Sequence, residues 1–598
     1  MTETFTGVSG ALQAGMDSLY SLSQQFPKIG AWYTTVIRFV LPVLGLLILL
    51  TAIRSLLSVK HTAEVWAYLN FGEQRIPLTH WENIIGRQKT ADVVIDDPAV
   101  SRTHAALIRQ PDDTWNLYDL GSTSGTYVRG RTAPAEEPLP VEFGDEISFA
   151  DIPAWLEPVS PEEKQARRKR RAGLDKPVSP WGLLILMSFF QILTCIQLII
   201  STGEKADPAL PLIFLGMTAV MWIYCLTLRA FRRVGFEMEM IAFFLCTISL
   251  AVTASFAPAS VPKQFFAILL GMVGFLVLGW FLRDLSRANA LRKFMAVLAV
   301  LLLAATLVLG SSSGGAKNWI KIGGMSLQPS EIAKVCYIFA GSATLDRLFR
   351  KKNLGLFMAL TLICLGCLAL MNDFGAAAIF FVTFIVIAFL RSGDWATLAL
   401  ICGGCGAGGL VLLSVKPHVL KRFASWGHIW EDVYGAGFQQ THSLTAAASG
   451  GLVGVGAGNG WLGVTAADTD MVFCKVCEEW GLIIAVLAVL CIVTLAVFAV
   501  RACRAGRSSF YTIAACAATS LMVFQTCLNV FGAVDILPLT GVTFPFLSNG
   551  GTSMLASWGM LAFLKASDTR QNASFAIRLP SRRELRHEQE EFDEYAED

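Results

Sequence analysis

Residues 469–500 read TDMVFCKVCEEWGLIIAVLAVLCIVTLAVFAV. The stretch from 475 onward is apolar after its first few charges and is long enough to cross a bilayer as a helix. Just before it lies a long, polar, Gly-rich segment, Lys416–Phe473, which gathers Lys416, Lys421, Arg422, Gln439, His442, Ser443, the Ser449-Gly450-Gly451 turn and Asp470. Connections in a membrane bundle are mostly short, so a loop of this length between two apolar runs points to function. It sets cations and a carboxylate together beside the bilayer, a combination suited to chemistry on a lipid-linked substrate.

The same apolar pattern recurs along the chain, at about 181–201, 208–228, 238–257, 263–282, 292–310, 331–347, 354–371, 374–391, 395–414, 475–500, 510–531 and 551–567. An earlier run, 33–57, is apolar apart from Arg38 and reads as a single anchor span. With 598 residues, only 16% of them charged, and a mean hydropathy of +0.54, the chain reads as a multi-spanning α-helical membrane protein of about twelve spans plus one N-terminal anchor span. The net charge of +2 is near zero, so global charge predicts no partner, and no nucleic acid is expected.

Between the anchor and the second run the composition changes. Residues 62–158 hold short alternating strands such as Val93-Val94-Ile95 and Trp115-Asn116-Leu117-Tyr118, separated by Gly, Asp, Ser and Pro. This predicts an all-β sandwich. The expected organisation is 1–32, a short N-terminus; 33–58, the anchor; 62–158, the sandwich; 159–180, a basic linker with Arg167-Arg168-Lys169-Arg170-Arg171; 181–568, the membrane domain; and 569–598, a charged tail. Basic connections alternate with non-basic ones from that linker onward. The positive-inside rule therefore puts the sandwich, linker and tail in the cytoplasm, and the N-terminus and residues 311–330, 415–474 and 532–550 outside.

The 14 cysteines fall between Cys195 and Cys527, almost all in apolar runs, so no disulfide framework is expected. Cys364/Cys367 and Cys402/Cys405 read as small apolar packing residues. Cys474/Cys477 reads the same way, with a redox or metal role as the alternative because Asp470 is adjacent. His418, His428 and His442 lack metal-ligand spacing, and the glycines of 450–460 read as a turn rather than a phosphate cradle.

Ile85-Gly86-Arg87, Val100-Ser101-Arg102-Thr103-His104 and Asp119-Leu120-Gly121-Ser122-Thr123-Ser124-Gly125-Thr126 together resemble the forkhead-associated (FHA) domain. The resemblance implies recognition of a phosphothreonine-containing protein, with Arg87, Ser101 and Thr123 on the phosphate and Arg102 and Ser124 beside them. A dianionic phosphate needs such a guanidinium and such hydroxyls. Ser124 stands where that family usually has Asn. The alternative is a scaffold sandwich that binds no phosphate.

Four further stretches resemble the SEDS family (FtsW, RodA, SpoVE) over roughly 230–567. They are Gly315-Ala316-Lys317-Asn318-Trp319-Ile320 with Gln328-Pro329-Ser330-Glu331-Ile332-Ala333-Lys334; Asn372-Asp373-Phe374-Gly375-Ala376; the 416–473 loop with Glu478-Glu479-Trp480-Gly481; and Leu537-Pro538-Leu539-Thr540-Gly541 with Pro545-Phe546-Leu547-Ser548-Asn549-Gly550-Gly551-Thr552-Ser553. The resemblance implies a peptidoglycan glycosyltransferase that polymerises lipid II at the outer face of the bacterial cytoplasmic membrane, in elongation, division or sporulation. It also implies a single-span class B penicillin-binding protein transpeptidase as partner. Asp470 matches the family's essential aspartate, while Lys334, Arg422, Gln439, Ser443 and Ser548 match other motif positions. Ala466-Ala467-Asp468 stands where the family has Pro-Glu and a His, Asn372 replaces a Pro, and Asn318 an Arg. The two runs near 181–228 lie beyond the family's usual ten spans.

The residue types suit glycosyl transfer. Asp470 is the expected general base, Lys421 and Arg422 the expected stabilisers of a pyrophosphate leaving group, and a divalent cation (Mg or Mn) a possible helper. Glu331 and Lys334 share a helix face and could simply pair. Asp373 is read equally as a structural partner or a substrate contact. The rival readings are a transporter (flippase) of lipid II or another amphiphile, built on Asp373, Glu331 and Lys334 at the midplane, and an inactive cell-wall scaffold.

Overall fold

In the computed structural model the described residues run from 13 to 577, without 22–23, 59–62, 90, 111, 136, 175–178, 204–206, 314–315, 323–324, 343–350, 393–398, 400–401, 404–405, 407–425, 436 and 571. Lys416, His418, Lys421, Arg422 and Cys405 lie outside the described residues.

The chain opens with helix α1 (Pro27–Ser58). Its apolar sequence packs against the rest of the bundle: a Cβ at Gly45 would lie 3.0 Å from Ile484 and 3.3 Å from Leu487 and Phe244. The Tyr33 hydroxyl donates to the Leu193 carbonyl at 3.0 Å. The run read as an anchor is therefore part of the membrane body.

Eleven strands follow: β1 (Ala67–Phe71), β2 (Gln74–Leu78), β3 (Glu82–Gly86), β4 (Val93–Val94), β5 (Ala105–Arg109), β6 (Trp115–Asp119), β7 (Thr126–Val128), β8 (Arg131–Thr132), β9 (Leu139–Val141), β10 (Glu146–Phe149) and β11 (Ile152–Pro158). They form two sheets, ordered β2-β1-β11-β10-β7-β8 and β4-β3-β5-β6-β9. Alternation along β6 sends Trp115, Leu117 and Asp119 inward. Leu69, Ile85, Leu107, Leu117, Ile147 and Phe149 close the core between the sheets.

Helix α2 (Pro161–Leu174) carries the basic linker. The membrane body then runs through α3 (Pro180–Thr202), α4 (Leu210–Ala230), α5 (Glu237–Phe256), α6 (Val261–Leu282), α7 (Leu285–Leu309), a three-stranded hairpin sheet over 311–327, α8 (Pro329–Gly341), α9 (Lys351–Leu370), α10 (Phe374–Ser392), α11 (Phe438–Gly450), α12 (Val472–Cys503), α13 (Ser509–Ala533) and α14 (Gly551–Ser567). Among the described residues, ten helices are long and apolar enough to cross a membrane, α1 included. The runs expected at 331–347 and 551–567 form the shorter helices α8 and α14, of 13 and 17 residues. Helix α8 stops because Ser342 takes an extended backbone (φ −69°, ψ 141°). The run at 395–414 lies almost wholly outside the described residues.

One irregularity shapes the part of the body next to the polar loop. Helix α12 breaks at Gly481 (φ 84°, ψ 165°). The Gly-rich segment after α11 runs strand-like along the break: Val455 N and Gly456 N donate to the Glu478 and Glu479 carbonyls, each at 2.9 Å, and Leu482 N returns a bond to Gly451 O at 3.0 Å. A Cβ at Gly481 would lie 2.3 Å from Leu452 O, so only glycine admits this crossing. The glycines serve packing, as a turn that is pinned at both ends.

Candidate active site

Asp470 ends the polar loop one residue before the N-cap of α12. It is half-buried, and three neighbours lock its turn. The Asn529 side-chain amide donates to the Asp470 carbonyl at 2.9 Å. The Ser548 hydroxyl donates to the Thr469 carbonyl at 2.7 Å and accepts from Phe544 N at 2.8 Å. Asn549 bonds Asp468 twice, main chain to main chain at 2.7 Å and side chain to side chain at 2.8 Å.

The opposite wall is the 540–542 loop. A Cβ at Gly541 (φ 66°) would stand 3.2 Å from Asp470 Oδ2, so the missing side chain leaves the carboxylate its place. Asn529 also donates to the Val542 carbonyl at 2.7 Å and thus ties the two walls together. From α6, Gln264 reaches Ser548 O at 3.3 Å and accepts from Gly550 N at 3.2 Å. The turn that presents Asp470 is therefore held by α6, α13 and the start of α14. Two buried polar atoms beside it, Asn529 Oδ1 and Thr540 Oγ1, have no hydrogen-bond partner. Orphaned polar atoms in a fold are costly, and these two lie beside the Asp470 turn.

The remaining expected residues divide by position. Ser548 acts as a pin beside Asp470, with both hydrogen bonds spent on the protein. Ser443 is fully buried on α11 with an unpartnered hydroxyl, and Gln439 is half-buried one turn earlier. Lys334 is 1% exposed, and its ammonium is shared by Glu331 at 2.8 Å and Gln525 at 3.1 Å. It contributes by holding α8 to α13 and does not reach the site surface. Asp373 caps α10 through Ala376 N at 3.0 Å and meets Asn318 at 3.4 Å.

Beneath the loop lies a cluster of buried charges. Lys475 bonds Glu478 at 2.8 Å and Glu479 at 3.2 Å. Glu478 also accepts from Trp461 N and Leu462 N, each at 2.9 Å, while Glu479 accepts from Gly458 N at 3.1 Å and from Ser255. Each carboxylate is paired and hydrogen-bonded, the condition under which burial is tolerated. The cluster fixes the 450–462 segment below Asp470. Cys474 and Cys477 are buried free thiols beside it. Among the described residues no group of three or more His, Cys, Asp or Glu is placed to hold a metal ion. They build no cage for a divalent cation around Asp470.

Sequence reasoning missed Asn529 and Gln525. They stand four residues apart on one face of α13, inside an apolar run. Two amides in a membrane helix are themselves a signal, because each needs a partner there.

At the other end of the chain the loops expected to meet a phosphopeptide converge. Thr123 N donates to Ser101 Oγ at 3.1 Å, and the two hydroxyls lie 3.5 Å apart. Arg87 and Arg102 are exposed beside them. Ser124 donates to the Ala99 carbonyl at 2.9 Å, so its hydroxyl braces the loop. His104 is fully buried; Ser101 N donates to its Nδ1 at 3.1 Å, which leaves Nε2 to donate to Gly125 O at 3.0 Å. Burial lowers the His104 pKa below its ordinary value, as expected for this neutral tautomer.

Comparison with known proteins matches both halves. The family model described as cell cycle protein (FtsW, RodA, SpoVE) matches residues 228–572, and that of the FHA domain matches 83–150. Peptidoglycan glycosyltransferase RodA of Mycobacterium tuberculosis is 30% identical over 325 residues, which cover 51% of this chain and 69% of that protein. The probable peptidoglycan glycosyltransferase FtsW of Bacillus subtilis is 28% identical over 347 residues, covering 52% and 83%. The crystal structure of RodA from Thermus thermophilus aligns over 55% of this chain and 94% of that one, at 23% identity with a TM-score of 0.41.

Proposed function

The chain belongs to the FtsW, RodA and SpoVE family of cell cycle proteins, and on that premise we propose that it is a peptidoglycan glycosyltransferase that polymerises lipid II, governed by a phosphothreonine-binding FHA domain. The observation that carries the proposal is the locked turn of Asp470. Six hydrogen bonds, one each from Asn529 and Ser548, two from Asn549, and two between Gln264 and its neighbours Ser548 and Gly550, fix the backbone on which one carboxylate faces the Gly541 loop.

In the reaction the acceptor sugar hydroxyl attacks C1 of the donor, and the bond from C1 to the pyrophosphate oxygen breaks. Asp470 takes the hydroxyl proton, and the polyprenyl pyrophosphate leaves with the bonding pair. Fixing the base in advance removes the cost of orienting it in the transition state. Lys421 and Arg422 are proposed to meet the leaving pyrophosphate, and Gln439 and Ser443 the rest of the substrate. A divalent cation, where used, would supply further charge neutralisation to that pyrophosphate.

The loop is placed at the outer face of the cytoplasmic membrane and the sandwich in the cytoplasm, on the alternation of basic connections. A single-span class B penicillin-binding protein is the proposed transpeptidase partner. The carboxylates on which a transporter reading would rest are occupied: Glu331 pairs with Lys334, and Asp373 caps a helix. These contacts favour the enzyme.

The test is gel-resolved glycan product from purified protein given lipid II. Asp470→Asn keeps size and removes the base, so product should fall by roughly 100-fold or more. Full activity in that variant, with loss in Asp373→Asn, would reverse the assignment.

A further inference from the structure

The sandwich is docked onto the cytoplasmic end of the catalytic body. Glu82, the first residue of β3, is 3% exposed. Its carboxylate accepts from Ser508 Oγ at 2.7 Å, Ser509 N at 2.8 Å and Ser509 Oγ at 3.1 Å. These donors open α13, whose N-cap is Ser508. A carboxylate from another domain thus completes the cap of this helix, where the helix dipole favours negative charge. Next to it, Trp81 N donates to the Arg507 carbonyl at 2.6 Å, and the Trp81 ring meets Tyr511 edge-on at 6.0 Å. Arg507 in turn donates to the Asp568 and Thr569 carbonyls at 3.2 and 2.6 Å and pairs with Glu64 at 3.5 Å.

Both elements joined at this dock lead to a site. The other end of β3 is Gly86, followed by Arg87, the proposed phosphate contact. Arg87 N and Gln88 N bond the Ser101 and Arg102 carbonyls at 3.0 and 3.1 Å. The other end of α13 carries Gln525, which holds Lys334, and Asn529, which grips Asp470 and Val542. One strand and one helix, butted at Glu82, connect the phosphothreonine loops to the catalytic turn.

We infer that phosphothreonine binding raises polymerisation through this strand–helix joint, with the docked sandwich as the competent state. The inference rests on the phosphothreonine reading above. A bound phosphopeptide orders the 86–88 and 101–102 loops, which are hydrogen-bonded to each other at the end of β3. With β3 already ordered, less conformational entropy is lost in holding Glu82 against Ser508 and Ser509. Peptide therefore favours the docked state, and docking favours the peptide by the same factor.

The test uses the full chain in nanodiscs, where both faces are open, with a phosphothreonine peptide selected on that chain and its unphosphorylated form as control. In the wild type the phosphopeptide should raise the rate of lipid II polymerisation by roughly five-fold or more, at the lower end of common coupling factors. Glu82→Gln should lower the basal rate, abolish the response and weaken peptide affinity. Should Glu82→Gln fail to fold, Ser508→Ala/Ser509→Ala removes two of the three donors and carries the same expectation. Peptide binding without a change in rate overturns this inference alone, as does an equal response in wild type and docking variants. Failure of every phosphothreonine peptide to bind removes the phosphothreonine reading and this inference with it.

Discussion

Asn529 donates to the main-chain carbonyl of Asp470 at 2.9 Å, and does so from the last turns of a membrane helix. The contact acts on the backbone of Asp470, so it sets where the carboxylate stands without neutralising it. Asn529 is accordingly a positioning residue.

Asn529→Ala should leave the Asp470 and Val542 carbonyls without this donor and free the turn to move. A misplaced catalytic group of this kind costs on the order of 100-fold. The loss should fall on kcat, with KM for lipid II little changed. A fall in kcat and a rise in KM of equal size would argue for general damage. Restoration of much of the rate by Asn529→Gln, which keeps the amide, would support positioning.

The Lys475 cluster predicts stability. Lys475→Met leaves Glu478 and Glu479 buried with no cation, and breaking a buried pair on one side costs about 3–5 kcal/mol. The triple change Lys475→Met/Glu478→Gln/Glu479→Gln should recover part of that loss. Thermal unfolding in detergent checks both; equal melting temperatures for wild type and Lys475→Met would show that the cluster contributes little.

Arg87→Ala should abolish binding of phosphothreonine peptides to the full chain, because a charge-assisted contact to a dianion is lost. Isothermal calorimetry at fixed salt measures it. Unchanged affinity would remove Arg87 from the phosphate site.

Two histidines of the sandwich predict opposite pH behaviour. The Asp92 carboxylate, 3.3 Å away, raises the His80 pKa. Its stabilising contribution is complete below the unfolded pKa of about 6.5 and fades as pH rises through the folded value. Burial lowers the His104 pKa, so its neutral form stabilises the fold above about 6.5, and that stabilisation is lost as pH falls through the folded value. NMR titration should find His80 above and His104 below 6.5. A common midpoint would contradict both contacts.

Sidedness is open to labelling. Tyr434 is 92% exposed, and Glu73 is exposed on the turn between β1 and β2. On a background without native cysteines, Tyr434→Cys should react with an impermeant thiol reagent in intact cells, and Glu73→Cys only after lysis. The reverse pattern would invert the orientation.

Much of this was legible in the sequence, for identifiable reasons. Apolar runs long enough to span a bilayer announce themselves, and alternation in 93–95 and 115–118 reports a two-faced sheet. Asp470 was legible because it is a carboxylate set among cations in a long polar loop. Lys334 was harder: its spacing from Glu331 fits a buried ion pair and a substrate contact alike, and only burial beside Gln525 separates them. Asn529 was hidden because its partners are main-chain carbonyls, which leave no trace in residue type. Glu82 was hidden for a different reason. It looks like any strand residue, and the groups that donate to it lie more than four hundred positions away. Contacts between domains have no local periodicity to betray them.

Helix α1, packed along one face against the other membrane helices, changes the status of the sandwich. The chain leaves the bilayer body at Ser58, enters the sandwich at Ala67, leaves it at Pro158 and returns at Pro180. The domain is therefore tethered at both ends to the body on which it docks. Short tethers hold such a pair at an effective concentration on the order of millimolar. A dock of modest intrinsic affinity is then well populated, and a free copy of the sandwich at micromolar concentration cannot compete for it. On the coupling proposed above, control of each polymerase belongs to its own sensor, one molecule at a time, and does not vary with the amount of protein in the cell.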